Sequence, residues 1–364
     1  MEKRIRHAFL LALLTVLLPL SALAENFVSA FSPDIRYVGR YTTSSGKYVR
    51  FSYPGFQIRA VFSGTGIKAK MKPDSGYYMV EIDNGEPFKV HFPKEDSVMT
   101  VADGLPVGEH TITMTFATEG LYHRPQFWGF LLDDGCSLPR APRMPRRKIE
   151  FIGNSITCGF GNEGKSGKEK FAYATENQYY TYGAITCRNL DAQCFVVARS
   201  GIGVYRNCGG NVNGDKEIMP RVYPYTLFGM TGEKWDFSRF TPDVVCINLG
   251  TNDTSGSRYR KDLFFSSYWD FLQTVRSNYP HARIVLLSGT MIRGGSERDK
   301  GLRKLLDDLC QKAADAGDSE VYRFDMTPED GTLGWGSCYH PSLQRHARMA
   351  EELTAFIRKI TGWE

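Results

Sequence analysis

Residues 148–167 read KIEFIGNSITCGFGNEGKSG, and their first six residues belong to the pattern that decides the fold. KIEFIG is a compact, largely apolar run, and four more such runs follow it: CFVVARS, DVVCINLG, RIVLLSGT and VYRFDM. The segments between them predict helices over Asn177–Leu190, Arg258–Asn278 and Glu297–Ala316. Continuous apolar strands that alternate with helices are typical of a parallel sheet covered on both faces. We therefore expect an α/β domain over residues 148–364.

The chain ends in one more predicted helix, PSLQRHARMAEELTAFIRKI. Pro341 suits the first turn of this helix. The apolar residues recur at helical spacing and predict one buried face, made of Leu343, Ala347, Ala350, Leu353, Ile357 and Ile360.

The preceding part of the chain has a different pattern. Short strands are predicted over Gln57–Phe62, Ile67–Met71, Met79–Ile82 and Phe88–Phe92, and Asp83-Asn84-Gly85 is a strong hairpin signal. These strands predict an all-β sandwich over residues 25–139. Residues 140–147 belong to the run LPRAPRMPRRK, whose prolines indicate a stiff linker. A basic binding patch is the alternative interpretation of this run.

The N-terminus has the parts of a secretory signal peptide. Lys3, Arg4 and Arg6 precede an apolar run from Phe9 to Leu20, and residues 22–24 (ALA) resemble a cleavage site. The apolar run is too short for a typical membrane anchor. We therefore expect residues 1–24 to be removed from an exported protein that is not attached to a membrane.

The composition argues against several classes of function. The formal net charge is +5, of which residues 1–24 contribute +2, so the rest of the chain is near neutral and makes no case for a nucleic-acid partner. The eight cysteines form no C-x-x-C pair and the histidines after the leader form no H-x-x-x-H pair, so we expect no metal and no cofactor. One or two disulfides are compatible with export, whereas Cys246 lies in an apolar run and is expected to be a buried thiol.

The glycines of the opening stretch fit two nucleotide-binding patterns. Residues 159–166 match G-x-x-x-x-G-K-S, and Gly159, Gly161 and Gly164 match G-x-G-x-x-G. Both patterns need their first glycine directly after the strand, but residues 154–158 intervene here. The chain contains 36 glycines, so such matches arise by chance. Neither nucleotide site is therefore expected.

Four residues that follow strands provide the groups needed for acyl transfer. Ser155 follows KIEFIG, Gly201 follows CFVVARS, Asn252 follows DVVCINLG, and His340 comes between VYRFDM and the last helix. The carboxyl ends of parallel strands meet at one edge of the sheet, which would bring together a nucleophile, a backbone donor, an amide donor and a base. Each residue alone has an ordinary alternative as a helix cap, a turn residue or a surface loop residue. Their coincidence at strand ends favours the catalytic interpretation.

The stretches that contain these four residues resemble a known superfamily. GNSITCGFG, RSGIGVYRN, NLGTND and HPS are similar to the four ordered blocks of the SGNH hydrolases, also called GDSL-type esterases. A second resemblance, to carbohydrate esterase family 2, rests on the preceding β-sandwich, the run WDFSRFTPDVVCINLGTND and the sequence VYRN. The members of this family are secreted deacetylases of plant polysaccharides. The resemblance covers nearly all of the chain after the leader. It implies a flavodoxin-like α/β domain, with a five-stranded parallel sheet between helices, preceded by a jelly-roll sandwich.

The resemblance also implies a role for each site residue. Ser155 would attack the acetyl carbonyl, and His340 would take its proton and return it to the departing sugar oxygen. The backbone N–H groups of Ser155 and Gly201, with the side-chain amide of Asn252, would stabilise the oxyanion. Asn154 stands where the family usually has aspartate, and we expect the serine to keep its position because asparagine has the same size.

A second departure concerns the partner of the histidine. Ser337 lies three residues before His340, where these enzymes commonly have an aspartate. The resemblance favours a Ser–His dyad in which a backbone carbonyl in Trp335–Tyr339 holds the imidazole. A remote acid, Asp325 or Asp330, is the alternative.

The expected substrate is an acetylated polysaccharide or oligosaccharide such as xylan or glucomannan. Tyr205 and Trp335 lie beside the site residues, where they would stack on sugar rings unless they serve ordinary packing. A lipid or short-chain acyl hydrolase and a non-catalytic carbohydrate-binding protein remain alternatives. The sequon Asn252-Asp253-Thr254 coincides with the expected site, which favours bacterial export to the periplasm or the medium. We expect the protein to be a monomer.

Overall fold

The computed structural model describes residues 25–120, 123–229, 232–256 and 258–364. The predicted signal peptide, residues 1–24, lies outside the described residues. Within the described ranges, no helix has the length and apolar character needed to cross a bilayer. The described chain consists of an antiparallel β-sandwich followed by an α/β domain.

The N-terminal part consists of two antiparallel sheets that enclose one core. The strands are β1 Asn26–Ser29, β2 Arg36–Val38, β3 Tyr41–Thr42, β4 Val49–Phe51, β5 Gln57–Gly64, β6 Ile67–Met71, β7 Gly76–Ile82, β8 Phe88–Phe92, β9 Val98–Ala102, β10 Gly108–Phe116 and β11 Gln126–Leu132. One sheet has the order β3-β4-β11-β6-β9, with β1 paired to β11, and the other has the order β2-β5-β10-β7-β8. Their inward-facing side chains form a core rich in phenylalanine. The predicted all-β sandwich is confirmed.

The C-terminal part contains a five-stranded parallel sheet. The strands are β12 Arg147–Gly153, β13 Ala192–Ala198, β14 Val244–Asn248, β15 Arg283–Ser288 and β16 Val321–Asp325, in the order β13-β12-β14-β15-β16. The helices are α1 Ser155–Cys158, α2 Tyr182–Asn189, α3 Met219–Val222, α4 Lys261–Asn278, α5 Glu297–Asp315 and α6 Leu343–Thr361. Separate apolar cores lie on the two faces, with α2 and α6 on one and α4 and α5 on the other. This strand order is that of flavodoxin-like folds, as predicted.

The buried face of α6 differs from the predicted one. Leu343 is 38% exposed and Ala347 is also exposed, whereas His346 and Met349 are buried. The ring of His346 accepts a hydrogen bond from the backbone N–H of Tyr182, at 3.2 Å, which turns this side of the helix toward α2. The prediction for Leu343 and Ala347 is therefore wrong, because a polar contact that apolar periodicity does not register orients the first turns of α6.

A buried ion pair joins the sandwich to the α/β domain. Arg40 lies between β2 and β3 and is fully buried, with its guanidinium 3.5 Å from Glu150 in β12. It also donates to the carbonyl oxygens of Tyr223 and Tyr225 and faces the Tyr223 ring at 4.6 Å. A buried pair of charges is tolerated only where such hydrogen bonds offset the loss of hydration. The two parts of the chain are therefore packed together through a specific charged contact.

All eight cysteines lie in the described residues, and all are free thiols. The disulfides that export would permit are therefore not formed. Cys246 is fully buried in β14, as predicted.

Candidate active site

The carboxyl ends of three neighbouring strands carry three of the predicted site residues. β12 lies between β13 and β14, and its last residue, Gly153, pairs with Ala198 of β13. Ser155, Gly201 and Asn252 follow the ends of these strands within four residues. The sheet therefore brings the three residues to one edge, as the strand-end argument predicts.

Ser155 is the first residue of α1, directly after the strand. Asn154 caps the helix, and its side-chain oxygen accepts a hydrogen bond from the Ile156 N–H at 3.1 Å. Gly153 is needed at the strand end because a Cβ there would lie 2.0 Å from the Thr157 hydroxyl. The helix cap is thus Asn154, and the alternative in which Ser155 serves as the cap is wrong. Ser155 therefore lies at the N-terminus of the helix, and its hydroxyl is available for another contact.

That contact is with His340. Its Nε2 atom lies 3.0 Å from the Ser155 hydroxyl, and its Nδ1 atom lies 3.2 Å from the carbonyl oxygen of Cys338, inside the predicted segment Trp335–Tyr339. With the proton on Nδ1, that nitrogen donates to the carbonyl and Nε2 accepts from the serine hydroxyl. The Phe160 ring lies 4.4 Å from the imidazole, between ring centroids. Burial lowers the pKa of His340 to about 4, so the ring is a neutral base at pH 7.

The two remote acids proposed from the sequence do not reach the histidine. Asp325 pairs with Arg303 at 2.9 Å, and Asp330 pairs with Arg345 at 3.1 Å. Within the described residues, the hydrogen-bond partners of the His340 ring are the Ser155 hydroxyl and backbone carbonyls, and no carboxylate is among them. The remote-acid alternative is therefore wrong.

An unusual backbone conformation directs the carbonyl toward the imidazole. Cys338 and Tyr339 have φ angles of 52° and 58°, in the left-handed region that residues with a side chain rarely adopt. Each such residue costs about 1–3 kcal/mol and persists only where its surroundings hold it. Here the Cys338 N–H donates to Glu169 O at 3.0 Å, and the Tyr339 N–H donates to Gly167 O at 3.2 Å. The loop after α1 thus holds the segment that orients His340.

The glycines that fit the nucleotide patterns pack against this same segment. A Cβ on Gly161 would lie 2.6 Å from the Ser337 Cβ, and a Cβ on Gly164 would lie 2.5 Å from the Ser337 backbone nitrogen. The Ser337 N–H also donates to Gly161 O at 2.8 Å. The side chain of Ser337 is therefore buried against the loop and does not replace the missing aspartate. The G-x-G-x-x-G spacing here serves close backbone packing.

Gly201 and Asn252, which follow the two strands on either side of β12, each carry an N–H group without a protein acceptor among the described residues. Gly201 has a φ angle of 78°, and a Cβ added there would meet no atom within 4 Å, so its backbone is open to a ligand. One hydrogen of the Asn252 amide is donated to Ile202 O at 2.8 Å, which leaves the other free. Within the part of the chain that the structure describes, the N–H groups of Ser155 and Gly201 donate to no protein acceptor. Three candidate donors thus lie at the edge of the sheet that carries Ser155.

Asp253 shapes the loop after Gly201 and is a residue that the sequence analysis missed. It is fully buried, and one carboxylate oxygen accepts hydrogen bonds from the N–H groups of Val204 and Tyr205 at 2.8 Å and of Arg206 at 3.3 Å. Burial raises its pKa to about 6, against the opposing effect of these hydrogen bonds. An aspartate directly after Asn252 was the available signal.

The same loop corrects the prediction for Tyr205. Its ring is 3% exposed in the apolar core, and its hydroxyl accepts from the Arg260 N–H at 3.0 Å. Tyr205 is therefore unable to stack on a sugar ring, because the Asp253 contacts turn this part of the loop inward. Trp335 is partly exposed, and its ring lies 5.7 Å from that of Tyr339, which is 51% exposed. Tyr339 is the exposed aromatic beside the site that the sequence analysis did not select.

Two family models match the chain. The model described as Carbohydrate esterase 2 N-terminal matches residues 37–142, which contain most of the sandwich. The model of the GDSL-like Lipase/Acylhydrolase family matches residues 151–348, from the strand before Ser155 to the helix after His340. The second match alone covers more than half of the chain.

Relatives and solved structures agree with both models. The chain is 38% identical to cellulase/esterase CelE of Acetivibrio thermocellus across 91% of this chain, but it spans only 40% of the length of that relative. It is 28% identical to an acetylxylan esterase/glucomannan deacetylase of Cellvibrio japonicus, across 92% of this chain and 91% of the relative. The structure of a family two carbohydrate esterase from Clostridium thermocellum in complex with cellohexaose matches with a TM-score of 0.84 at 36% identity, covering 91% of this chain and 100% of that one. The chain belongs to carbohydrate esterase family 2 and, through its α/β domain, to the GDSL-like lipases and acylhydrolases.

Proposed function

We propose that this protein is a carboxylic ester hydrolase that removes O-acetyl groups from plant polysaccharides through a Ser155–His340 dyad. The observation that carries the proposal is the 3.0 Å contact between the Ser155 hydroxyl and Nε2 of an imidazole whose other nitrogen lies against a backbone carbonyl. A serine beside a neutral, oriented imidazole is the arrangement that activates a hydroxyl as a nucleophile.

The reaction proceeds in two steps on this geometry. The hydroxyl of Ser155 attacks the acetyl carbonyl while Nε2 of His340 takes its proton, and the imidazolium then returns the proton to the departing sugar oxygen. Water attacks the resulting acetyl ester in the second step, with His340 again acting as the base. The Cys338 carbonyl accepts from Nδ1–H and keeps Nε2 directed at the serine. The N–H groups of Ser155 and Gly201 and the Asn252 amide stabilise the oxyanion of both tetrahedral intermediates.

The relatives support the choice of substrate. An acetylxylan esterase/glucomannan deacetylase matches nearly the full length of this chain, and a matching structure holds cellohexaose. We therefore propose acetylated xylan or glucomannan as the substrate class, with the partly exposed Trp335 as a candidate contact for a sugar ring. The leader pattern of residues 1–24 supports export, and we propose that the protein acts as a monomer, since the Ser155–His340 contact forms within one chain.

Acetate release should be measured on acetylated xylan, on acetylated glucomannan and on p-nitrophenyl esters of increasing acyl length. The proposal predicts release from at least one glycan and a steep loss of kcat/KM beyond the acetyl group. A preference for long acyl chains would instead identify a lipid hydrolase. Binding of the glycans by the folded protein without any release of acetate would identify a carbohydrate-binding protein.

The pH profile should reflect the lowered pKa of the partly buried His340 imidazole. Only neutral His340 can act as the base, and its pKa of about 4 means that activity is present above this value and is lost as the pH falls through it. An ordinary histidine would give an acid limb near pH 6.5. The measurement is kcat/KM for p-nitrophenyl acetate between about pH 3 and pH 8, with circular dichroism at each pH to confirm folding. An acid limb between about pH 6 and pH 7 would contradict the assignment.

Substitution of Gly164 by alanine should disturb the histidine through the backbone. The added Cβ would lie 2.5 Å from the Ser337 backbone nitrogen, so the segment that ends at His340 must shift. A displacement of about 1 Å in a catalytic group can cost about 10²-fold in rate, and we expect a loss of kcat of this order. Gly108→Ala is the matched control, because a Cβ there meets no atom within 4 Å. Equal activity of the two variants would show that Gly164 packing does not position the base.

A further inference from the structure

A glutamate of the sandwich contacts two of the segments that carry the proposed catalytic groups, the turn before Gly201 and the helix that begins at Ser155. Glu119 follows β10 and is 5% exposed. One of its carboxylate oxygens accepts a hydrogen bond from the Ser200 backbone N–H at 2.8 Å and lies 3.8 Å from the Cys158 sulfur. Ser200 directly precedes Gly201, and Cys158 ends the helix that begins with Ser155. The sandwich therefore contributes a buried side chain beneath the site.

Glu119 is itself held in place. Its backbone N–H donates to a carboxylate oxygen of Glu176 at 3.0 Å, and Glu176 is fully buried. The next residue, Gly120, donates to Ser52 O at 2.8 Å, and a Cβ on Gly120 would lie 2.3 Å from that oxygen. The backbone around Glu119 is thus fixed on both sides, and its side chain presents a rigid acceptor to the α/β domain.

The Gly201 N–H needs such support. Gly201 has no side chain and no neighbour within 4 Å of a Cβ position, so packing does not hold its peptide groups in one direction. Hydrogen bonds hold this turn instead: Cys208 N–H donates to Gly201 O at 2.9 Å, Ile202 N–H donates to Arg199 O at 3.4 Å, and on the N-terminal side Ser200 N–H donates to Glu119 at 2.8 Å. A hydrogen bond from a backbone N–H to a buried carboxylate is among the stronger kinds.

We infer that Glu119 is a positioning residue, supplied by the sandwich, that orients the Gly201 N–H for the oxyanion. This inference rests on the proposed function. It makes the sandwich a part of the catalytic site, in addition to any role in binding glycan. The inference requires only that Glu119 accept the Ser200 hydrogen bond, so an uncharged acceptor of the same length should serve nearly as well.

The test compares three substitutions by their kcat and KM for p-nitrophenyl acetate, a substrate too small to report on glycan binding. Glu119→Gln keeps an acceptor oxygen, Glu119→Met keeps the length without an acceptor, and Glu119→Asp keeps the charge but is too short to reach Ser200. Loss of a whole oxyanion donor lowers kcat by about 10²–10³-fold. We therefore expect Glu119→Met and Glu119→Asp to lower kcat by about tenfold or more, with KM little changed. The kcat of Glu119→Gln should stay within about threefold of the parent. Thr42→Val, which removes the hydrogen bond from Thr42 of the sandwich to Glu233 of the α/β domain, is the control for general loosening of the interface.

Each outcome decides between the inference and its alternatives. Equal kcat values for Glu119→Gln and Glu119→Met would overturn the positioning role. A loss of kcat in Thr42→Val as large as that in Glu119→Met would overturn it as well. If Glu119→Met fails to fold, a parental kcat in Glu119→Asp would overturn it as well. A parent protein with no Ser155-dependent esterase activity would overturn the proposed function and this inference together, whereas such activity with no effect of the Glu119 substitutions would overturn only this inference.

Discussion

His340→Ala is expected to lower kcat for ester hydrolysis by about 10⁴- to 10⁶-fold. The imidazole is the only base in contact with Ser155, at 3.0 Å, among the described residues. Because no carboxylate shares its role, the full work of proton transfer falls on one ring. Residual turnover would come from the oxyanion donors and from substrate binding, which the substitution leaves in place.

The measurement is single-turnover kinetics with p-nitrophenyl acetate at high enzyme concentration, because steady-state rates this low are easily masked by contaminants. His281→Gln is the control, since His281 is exposed. A loss in His340→Ala of less than about 10²-fold would contradict the dyad and would require another base near Ser155.

Asn252→Ala is expected to lower kcat by about 10²–10³-fold with little change in KM. The amide donates one hydrogen to Ile202 O, at 2.8 Å, and holds the other free for the oxyanion. That second bond strengthens only as negative charge develops on the carbonyl oxygen, so its loss affects the transition state more than the bound ester.

Two further variants test whether the amide hydrogens of Asn252, and not the size of its side chain, account for this loss. Asn252→Asp keeps the size of the side chain but presents no amide hydrogen, and it should lose as much activity as the alanine variant. Asn213→Ala, at an exposed asparagine, should retain the parental rate. Unchanged turnover in Asn252→Ala would rule out Asn252 as an oxyanion donor.

Local sequence patterns and the rules of parallel-sheet topology were sufficient to predict much of this fold. Asp83 and Asn84 adopt positive φ angles, of 54° and 57°, and join β7 to β8 as the hairpin signal predicts, because such turn chemistry is local. The positions of Ser155, Gly201 and Asn252 followed from parallel topology, which places the carboxyl ends of neighbouring strands together whatever their separation in sequence.

The features that were predicted wrongly or missed depend on contacts between residues far apart in the sequence. The left-handed backbone at Cys338 is imposed by a hydrogen bond to Glu169, and no local propensity of cysteine favours it. Tyr205 is close to Gly201 in sequence, but its direction is set by Asp253 from the next strand end. Glu119 reaches Ser200 from another part of the fold. Single-sequence patterns carry no record of such pairings.

The most direct test of the account is a time course of acetate release from acetylated xylan by the parent protein and by Ser155→Ala. The account predicts steady release by the parent and none above background by the variant, because the hydroxyl that lies 3.0 Å from His340 is the nucleophile. Comparable release by both proteins would show that another group attacks the ester. A folded parent that releases no acetate from xylan, glucomannan or p-nitrophenyl acetate would contradict the assignment of this site as an acetyl esterase.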